Sequence, residues 1–241
     1  MWAIEMAALL ALASYAADTG PGRFLKERDG TVLVADLASG GRFAERRGGA
    51  AERAAPPASL FKIADALALS RAGRPALVLC RGGCSLRPGH GAVGLRAAFA
   101  QSCNNFFRQR LPEREPLLLA ALELGLIRLS AIPALRRVPM GELALGASPE
   151  LTLTPEDLLE AATRWPKGPA WAILKPLMSA CVAEGTCSSA RLPGLAVAGK
   201  TGTAPAPDGS GVTSGWFVGL APAEAPRAVV VVFLDRGQGR D

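Results

Sequence analysis

Apolar residues near both ends of the chain follow patterns typical of β-strands. The run from Gly30 to Gly40 ends in a Ser-Gly-Gly turn, after which Arg42 to Glu45 can return as a second strand. Beyond Leu195, turns rich in Pro, Gly and Asp separate three strand-like runs: AVAGKTGT, GWFVGLA and AVVVVFLD. The pattern predicts a hairpin near the amino terminus and three strands near the carboxyl terminus.

Apolar residues in the middle of the chain recur at helical spacing. Leu60 to Leu69 has this spacing, and Pro56-Pro57 forbids helix before it, so we expect a helix to begin at about Ser59. Further helix candidates are Val93 to Phe107, Leu117 to Leu129 and Pro155 to Trp165. Strands at both ends around a helical middle predict an α+β fold, in which the terminal strands share one antiparallel sheet.

The length of 241 residues suits a single domain. We predict one domain over residues 18–241. Its α/β part would comprise about 30–58 and 190–236, and its helical part about 59–189.

The first residues resemble a secretory signal. An apolar run from Met6 to Ala13 precedes the small residues Ser14 and Ala16, as at a small-x-small cleavage site. The run is too short to cross a bilayer, which takes about 20 apolar residues. Residues 1–17 are therefore predicted to be a signal peptide of an exported, cell-envelope protein. Because Glu5 occupies the place of a basic residue, a misassigned start or a terminal helix is the alternative.

The charge pattern argues against a nucleic-acid-binding protein. The 27 basic and 21 acidic residues give a net charge of +6, and most basic residues are arginines scattered singly through Ala-rich sequence. A nucleic-acid surface requires clustered Lys and Arg on one face. A weak attraction to anionic cell-envelope polymers remains compatible with this charge.

Five cysteines form two close pairs and a singleton, Cys103. In an exported protein, disulfides Cys80–Cys84 and Cys181–Cys187 are expected, with Cys103 as a free thiol. The alternative is a zinc site made of the same two pairs, since His90 is the single histidine. The pairs lack the usual short spacing of zinc ligands, so we expect no metal.

Three short motifs occur in a fixed order, and their joint occurrence is informative. They are Ser59-Leu60-Phe61-Lys62, Ser102-Cys103-Asn104 and Lys200-Thr201-Gly202. Each motif alone arises by chance in many chains, on a solvated helix face or in a plain turn. Each is here expected on the element that an acyl-transfer site requires.

Ser59 and Lys62 have the arrangement of a nucleophile and its base. At a helix N-terminus, free N–H groups and the helix dipole stabilise developing negative charge on Ser59. Lys62 lies one turn further on the same face, and partial burial would favour its neutral, basic form. The alternative is that Ser59 only caps the helix and Lys62 is solvated.

The other two motifs supply polar groups for substrate and proton handling. Ser102 could relay a proton between Lys62 and a leaving group, and Asn104 could hold substrate. Lys200 is expected on a strand flanked by glycines, which lets another backbone come close. That strand edge would suit an extended peptide.

The three motifs resemble the signature of the penicillin-binding protein transpeptidase and serine β-lactamase superfamily. Longer runs also resemble bacterial transpeptidase domains: GHGAVGLRAAFAQSCN, LTPEDLLEAA, ARLPGLAVAGKTGTA and WFVGLAP. The resemblance implies an acyl-enzyme on Ser59 and proton transfer by Lys62 and Ser102. It also implies substrate binding by Asn104 and the segment Lys200, Thr201, Gly202 and Thr203, an oxyanion hole from the N–H groups of Ser59 and Thr203, and no cofactor.

Three functions are compatible with this resemblance. The first is a D,D-transpeptidase or D,D-carboxypeptidase that acts on peptidoglycan stem peptides, is inhibited covalently by β-lactams and meets other cell-envelope proteins. The second is a β-lactamase or β-lactam sensor; Asn104 and the lack of a Glu-x-x-Leu-Asn run disfavour it. The third is a binding module that keeps the fold without turnover.

Overall fold

The structure is a computed structural model that describes residues 24–49, 52–73, 76–84, 88–205 and 211–239. The predicted signal peptide, residues 1–17, lies outside the described residues. Within the described part of the chain, no helix combines the length and apolar character that crossing a membrane requires.

A five-stranded antiparallel sheet unites the two ends of the described chain, which confirms the predicted fold class. Its strand order is β2-β1-β7-β6-β5. The strands are β1 (Gly30–Asp36), β2 (Arg42–Arg47), β5 (Ala198–Pro205), β6 (Thr213–Ala221) and β7 (Ala228–Leu234). The predicted hairpin and all three C-terminal strands are therefore present. Strand β5 lies at one edge of the sheet.

Helices occupy the stretch between the two groups of strands. They are α1 (Lys62–Arg71), α2 (Leu95–Ala100), α3 (Asn104–Gln109), α4 (Arg114–Glu123), α5 (Ile132–Leu135), α6 (Met140–Leu143), α7 (Pro155–Arg164) and α8 (Trp171–Glu184). Short 3-10 turns lie at Ala58–Leu60, Leu129–Ala131, Trp165–Lys167 and Ser188–Ala190. A small hairpin, β3 (Val78–Cys80) with β4 (Gly91–Val93), is added to the helical part.

Alternation along β7 explains how the sheet faces two cores. Val229, Val231 and Phe233 are fully buried, and the ring of Phe233 lies 4.4 Å from that of Trp216. Val230 and Val232 point to the other face, where they join a small cluster around Leu25, Val32 and Val34. Such period-two burial is what an antiparallel sheet with two covered faces requires.

Helix α1 is the central element of the helical part. Its residues from Lys62 to Leu69 are all buried, although two of them carry charged groups. The helix packs against α4 and α8, and α8 packs in turn against β5. The residues at the start of α1 are thereby held between the helices and the edge strand.

Several sequence-based boundaries were wrong. The helix expected from Val93 to Phe107 is two helices, because Ser102 adopts a left-handed conformation with φ of 55° and breaks it. Helix α8 was not predicted; Pro176 lies inside it and hid its regularity. Ser59 lies in a 3-10 turn before α1 and not at the first turn of that helix.

One of the two expected disulfides is present. Cys181 and Cys187 are bonded, at the end of α8. The expected bond between Cys80 and Cys84 is wrong, since neither cysteine forms a disulfide. Cys80 Sγ lies 3.6 Å from His90 Nδ1, and Cys84 Sγ lies 3.9 Å from Cys103 Sγ, so each sulfur faces a different partner. The zinc site expected as an alternative is also excluded, because the Cys181–Cys187 disulfide removes two of its ligands.

Candidate active site

The turn that carries Ser59 is held in a strained conformation by its neighbours. Ala58 has a φ of 48°, a region that costs non-glycine residues energy. Its N–H donates to the Gly146 carbonyl at 2.9 Å, and the Trp216 indole donates to the Pro56 carbonyl at 3.0 Å. The strain therefore persists because the residues on both sides of the turn are fixed.

Lys62 connects the first two motifs through its amino group. Its Nζ donates to Ser59 Oγ at 3.0 Å, to Ser102 Oγ at 3.2 Å and to Asn104 Oδ1 at 2.5 Å. The Ser102 carbonyl oxygen also lies within hydrogen-bond distance, at 2.9 Å, so four acceptors surround an amino group that has at most three N–H bonds. The amino group thus reaches both serine hydroxyls, while its own side chain is fully buried.

Lys200 brings the third motif to the same place. Its Nζ donates to Ser102 Oγ at 3.2 Å and to the Thr201 carbonyl at 3.0 Å. Ser102 therefore lies between two lysines, on the left-handed turn that ends α2. The rings of Phe107 and Phe99 lie 5.3 Å from the Lys62 and 5.5 Å from the Lys200 amino groups, within cation–π distance.

Burial shifts the ionisation of both lysines toward the neutral form. Removal from water lowers the pKa of Lys62 to about 8. Burial, assisted by the charge of Lys62, holds the pKa of Lys200 well below its usual value. A lysine with a pKa near 8 has a substantial neutral fraction at physiological pH, which a base requires.

Strand β5 places the third motif at an edge of the sheet. A side chain at Gly202 would come within 2.6 Å of the Pro57 carbonyl oxygen, so glycine allows β5 to approach the turn of Ser59. Thr201 is buried and its hydroxyl lies 2.5 Å from that of Thr186. Thr203 is exposed, and its Oγ1 accepts from the Gly239 N–H at 3.1 Å. The edge of β5 is thus fixed beside Ser59.

All eight residues proposed from the sequence lie in this region of the structure. Ser59, Lys62, Ser102, Asn104 and Lys200 form one hydrogen-bonded group, and Thr201, Gly202 and Thr203 extend it along β5. Sequence reasoning missed the supporting residues. The one sequence signal for Gly146 was that it follows a short helix. Nothing in the local sequence pattern indicated Thr186, Phe99 or Phe107.

A buried carboxyl close to this group was also missed. Asp65 lies one turn after Lys62 on α1 and is fully buried, and neither carboxyl oxygen has a hydrogen-bond partner among the described residues. Burial raises the pKa of Asp65 well above its usual range, against the opposing effect of Lys62. This shift favours the neutral form of Asp65, and among the described residues no salt bridge joins Asp65 to Lys62.

Comparison with known proteins shows which proteins this chain resembles. Residues 168–241 match the family model of the penicillin binding protein transpeptidase domain. That segment contains α8 and the three C-terminal strands with Lys200, Thr201 and Gly202. A search of curated proteins finds no match to the chain.

Solved structures extend the similarity to the whole fold. The D,D-transpeptidase domain of a peptidoglycan glycosyltransferase from Eggerthella lenta is 19% identical with a TM-score of 0.69, over 90% of this chain and 75% of that one. PBPA from Mycobacterium tuberculosis is 21% identical with a TM-score of 0.69, over 88% and 71%. PBP2 from Helicobacter pylori is 16% identical with a TM-score of 0.73, over 96% and 59%.

Some of these relatives have been solved with bound molecules. The M. tuberculosis protein is known as acyl-enzyme complexes with ceftriaxone and imipenem, and the H. pylori protein as a complex with MreC. The chain therefore has the fold of penicillin-binding protein transpeptidase domains, and the resemblance inferred from its motifs is confirmed.

Proposed function

We propose that this protein is a serine D,D-transpeptidase or D,D-carboxypeptidase that forms an acyl-enzyme on Ser59. The observation that carries the proposal is the convergence of the three motifs on the Ser102 hydroxyl, which the amino groups of both Lys62 and Lys200 contact. Lys62 Nζ lies 3.0 Å from Ser59 Oγ and 3.2 Å from Ser102 Oγ, and Lys200 Nζ lies 3.2 Å from Ser102 Oγ. The proposed base, Lys62, thus lies within hydrogen-bond distance of both the proposed nucleophile, Ser59, and the proposed proton relay, Ser102.

The reaction follows from these contacts. Neutral Lys62 takes the proton of the Ser59 hydroxyl while Oγ attacks the substrate carbonyl, and the N–H groups of Ser59 and Thr203 stabilise the resulting oxyanion. The proton passes from Lys62 through Ser102 to the leaving amine, and the acyl group remains on Ser59. An amine or a water molecule then attacks the ester and gives its proton to Lys62, and Lys62 passes this proton to Ser59 Oγ as the ester bond breaks, which regenerates the free hydroxyl and the neutral amine.

The position of β5 at the edge of the sheet supports a peptide substrate. An extended stem peptide can add to an exposed strand through main-chain hydrogen bonds, with its carboxyl end beside Lys200 and Thr203. Asn104 would contact the peptide from the opposite side of Ser59. By the same route, a β-lactam would acylate Ser59; the similar M. tuberculosis protein was solved as a ceftriaxone acyl-enzyme complex. The similar H. pylori protein was solved in complex with MreC. We therefore also propose that this chain binds a protein partner in the cell envelope.

The positions of the acidic residues disfavour the β-lactamase alternative. Fast release of the acyl group needs a second base beside Ser59. Between Asn104 and Lys200, most acids instead bind partners away from the site, chiefly arginines at the surface: Glu115, Glu123, Glu150, Glu156, Asp157, Glu160 and Glu184. We therefore expect a penicilloyl adduct on Ser59 to persist for minutes to hours.

The test is turnover of a thioester analogue of a stem peptide ending in D-Ala, with and without a D-amino acid as acceptor. The proposal expects Ser59-dependent thiol release, and the ratio of acylated to hydrolysed product identifies transpeptidase or carboxypeptidase. Ser59→Ala is the control. Hydrolysis of nitrocefin at about 10 per second or faster would instead support a β-lactamase. Covalent labelling by penicillin without any turnover would support a non-catalytic β-lactam sensor.

A further inference from the structure

Four metal-binding side chains meet next to the second motif. The ligand atoms of Cys80, Cys84, His90 and Cys103 all lie within 4.8 Å of one another. Cys80 Sγ is 3.6 Å from His90 Nδ1, and Cys84 Sγ is 3.9 Å from Cys103 Sγ. The function proposed above uses none of these four side chains.

Separate elements bring these four residues together. Cys80 ends β3, His90 directly precedes β4, and Cys103 lies in the turn between α2 and α3. A side chain at Gly89 would collide with the Cys80 carbonyl, so this glycine lets the strand of His90 approach Cys80. Asn105 supports the arrangement from outside, since its amide donates to Cys80 Sγ at 3.4 Å and also to the Gly82 carbonyl.

We propose that Cys80, Cys84, His90 and Cys103 bind one structural Zn²⁺ ion. Zinc prefers four such ligands in a tetrahedron, with Zn–S near about 2.3 Å and Zn–N near about 2.0–2.1 Å. These bond lengths imply S–S separations of about 3.8 Å and S–N separations of about 3.5 Å, close to the 3.9 Å and 3.6 Å found here. Four protein ligands leave no open position, so the ion would be structural.

The donor chemistry favours zinc over the hard cations. Three thiolates and an imidazole suit Zn²⁺, whereas Mg²⁺ and Ca²⁺ require oxygen ligands. The Asn105 amide that donates to Cys80 Sγ is typical of the outer groups that orient a zinc ligand. These four ligands differ from the two cysteine pairs that the sequence analysis considered. The proposed zinc site also replaces the expectation that this chain binds no metal.

The position of Cys103 gives the ion a consequence for the site. Cys103 stands between Ser102 and Asn104, both of which accept hydrogen bonds from Lys62. Ser102 has a φ of 55°, a conformation that must be held by its surroundings. Zinc bound to Cys103 would fix this turn against β3 and β4. This positioning role rests on the proposed function; zinc binding itself does not.

The experiment measures the zinc content of the purified full chain by elemental mass spectrometry. The measurement is repeated after EDTA has removed the metal, and again after Zn²⁺ has been added. We expect about one zinc per chain, and less than about 0.2 in Cys84→Ser and His90→Ala. The control is the double variant Cys181→Ser and Cys187→Ser, whose cysteines lie outside the cluster and which should keep its zinc. Co²⁺ in place of zinc should give the intense visible bands of tetrahedral thiolate coordination.

A second measurement avoids variants that fail to fold. EDTA should lower the Tm of the wild-type protein by about 5 °C or more, and Zn²⁺ but not Mg²⁺ should restore it. Zinc below about 0.1 per chain after Zn²⁺ addition would overturn the proposal, as would a Cys84–Cys103 disulfide in the purified protein. Thiol counting after denaturation and chelation, without reduction, should find three thiols.

The positioning role has its own readout. Removal of zinc should slow acylation by benzylpenicillin at least tenfold, and Zn²⁺ should restore it. Ser59→Ala should keep its zinc and lose labelling. Zinc binding without any labelling of the wild-type protein would contradict the proposed function alone, whereas labelling at an unchanged rate without zinc would contradict the positioning role.

Discussion

Lys62 Nζ lies 3.0 Å from Ser59 Oγ, although the two residues belong to different helical turns. Ser59 is in the 3-10 turn Ala58–Leu60, and Lys62 begins α1 after Phe61. The pair is fixed from both sides, because the turn of Ser59 is bound by Gly146 and Lys62 is bound by Ser102 and Asn104. In the proposed reaction, the geometry of attack by Ser59 would therefore be largely preorganised.

Removing the amino group of Lys62 should remove the base. We expect Lys62→Ala to slow acylation by benzylpenicillin by about 10²–10⁴-fold, the range that general-base assistance provides. Stopped-flow or gel-based labelling with a fluorescent penicillin measures the rate. Lys167→Ala, at an exposed lysine far along the chain, is the matched control and should label at the wild-type rate. A loss under tenfold in Lys62→Ala would assign the base to another residue.

The rate of acylation should also depend on pH through Lys62. Burial lowers the pKa of Lys62 to about 8, and only the neutral amine accepts a proton. Below that value, each unit of pH should reduce the rate about tenfold, and above it the rate should level off. The measurement is the labelling rate from pH 6 to pH 9 in the wild-type protein. A flat profile over this range would argue against a neutral Lys62 as the base.

The elements of the sheet were readily predictable because each strand is a local pattern. The run AVVVVFLD and the run GWFVGLA are strand-like without knowledge of their partners, and both are strands, β7 and β6. Ser102 shows the limit of such reasoning. Its left-handed turn interrupts a continuous helical pattern, and the cause lies in contacts with residues distant in sequence, Lys62 and Lys200.

The strained turn before Ser59 gives a prediction about a residue far from the motifs. Gly146 has a φ of 63°, and a side chain there would collide with the Ala58 carbonyl oxygen. Gly146→Ala should therefore displace the turn of Ser59, lowering stability by about 1–3 kcal/mol and slowing penicillin labelling. Thermal unfolding and labelling rates measure the two effects.

Gly141 provides the control for this substitution. A side chain at Gly141 meets nothing within 4 Å, and the residue lies within α6. Gly141→Ala should be neutral or stabilising by about 0.5–1 kcal/mol, because alanine favours a helix. Equal effects of both substitutions would mean that the turn of Ser59 does not depend on Gly146.

Asp65 gives a prediction about stability. Burial raises the pKa of this carboxyl, so the folded protein binds its proton more tightly than the unfolded chain does. Its contribution to stability is therefore lost as pH rises above the unfolded value of about 4, by up to about 1.4 kcal/mol per pH unit until the folded pKa is passed. Asp65→Asn cannot ionise and should gain Tm relative to the wild-type protein between pH 5 and pH 8.

The dependence on pH separates this effect from simple packing. A changed hydrogen bond or a changed side-chain volume in Asp65→Asn would shift Tm by the same amount at every pH between 5 and 8. A difference in Tm that stays constant from pH 5 to pH 8 would therefore contradict a buried, neutral Asp65.

The sequence could predict contacts between site residues that are close together in a motif. It could not predict contacts between residues that only the folded chain brings together. Ser59 and Lys62 are three residues apart, a spacing that brings two side chains together on helical backbone, and this closeness is kept although a 3-10 turn precedes the helix. Cys103 meets three residues that lie well before it in the chain, Cys80, Cys84 and His90. Pairing cysteines by closeness in sequence instead led to the wrong bond for Cys80 and Cys84. The β3–β4 hairpin brings Cys80, Cys84 and His90 together, and its strands of three residues each are too short to be recognised in the sequence.

The most direct test of the account is the mass of the intact protein after brief exposure to benzylpenicillin. The wild-type protein should gain the mass of one penicilloyl group, and peptide mapping should place it on Ser59. Ser59→Ala should gain nothing in the same time, and Ser189→Ala, at an exposed serine on a surface turn, should gain the same mass as the wild-type protein. A wild-type protein that remains unmodified, or a Ser59→Ala variant that is modified as fully as the wild type, would contradict the assignment of Ser59 as the nucleophile.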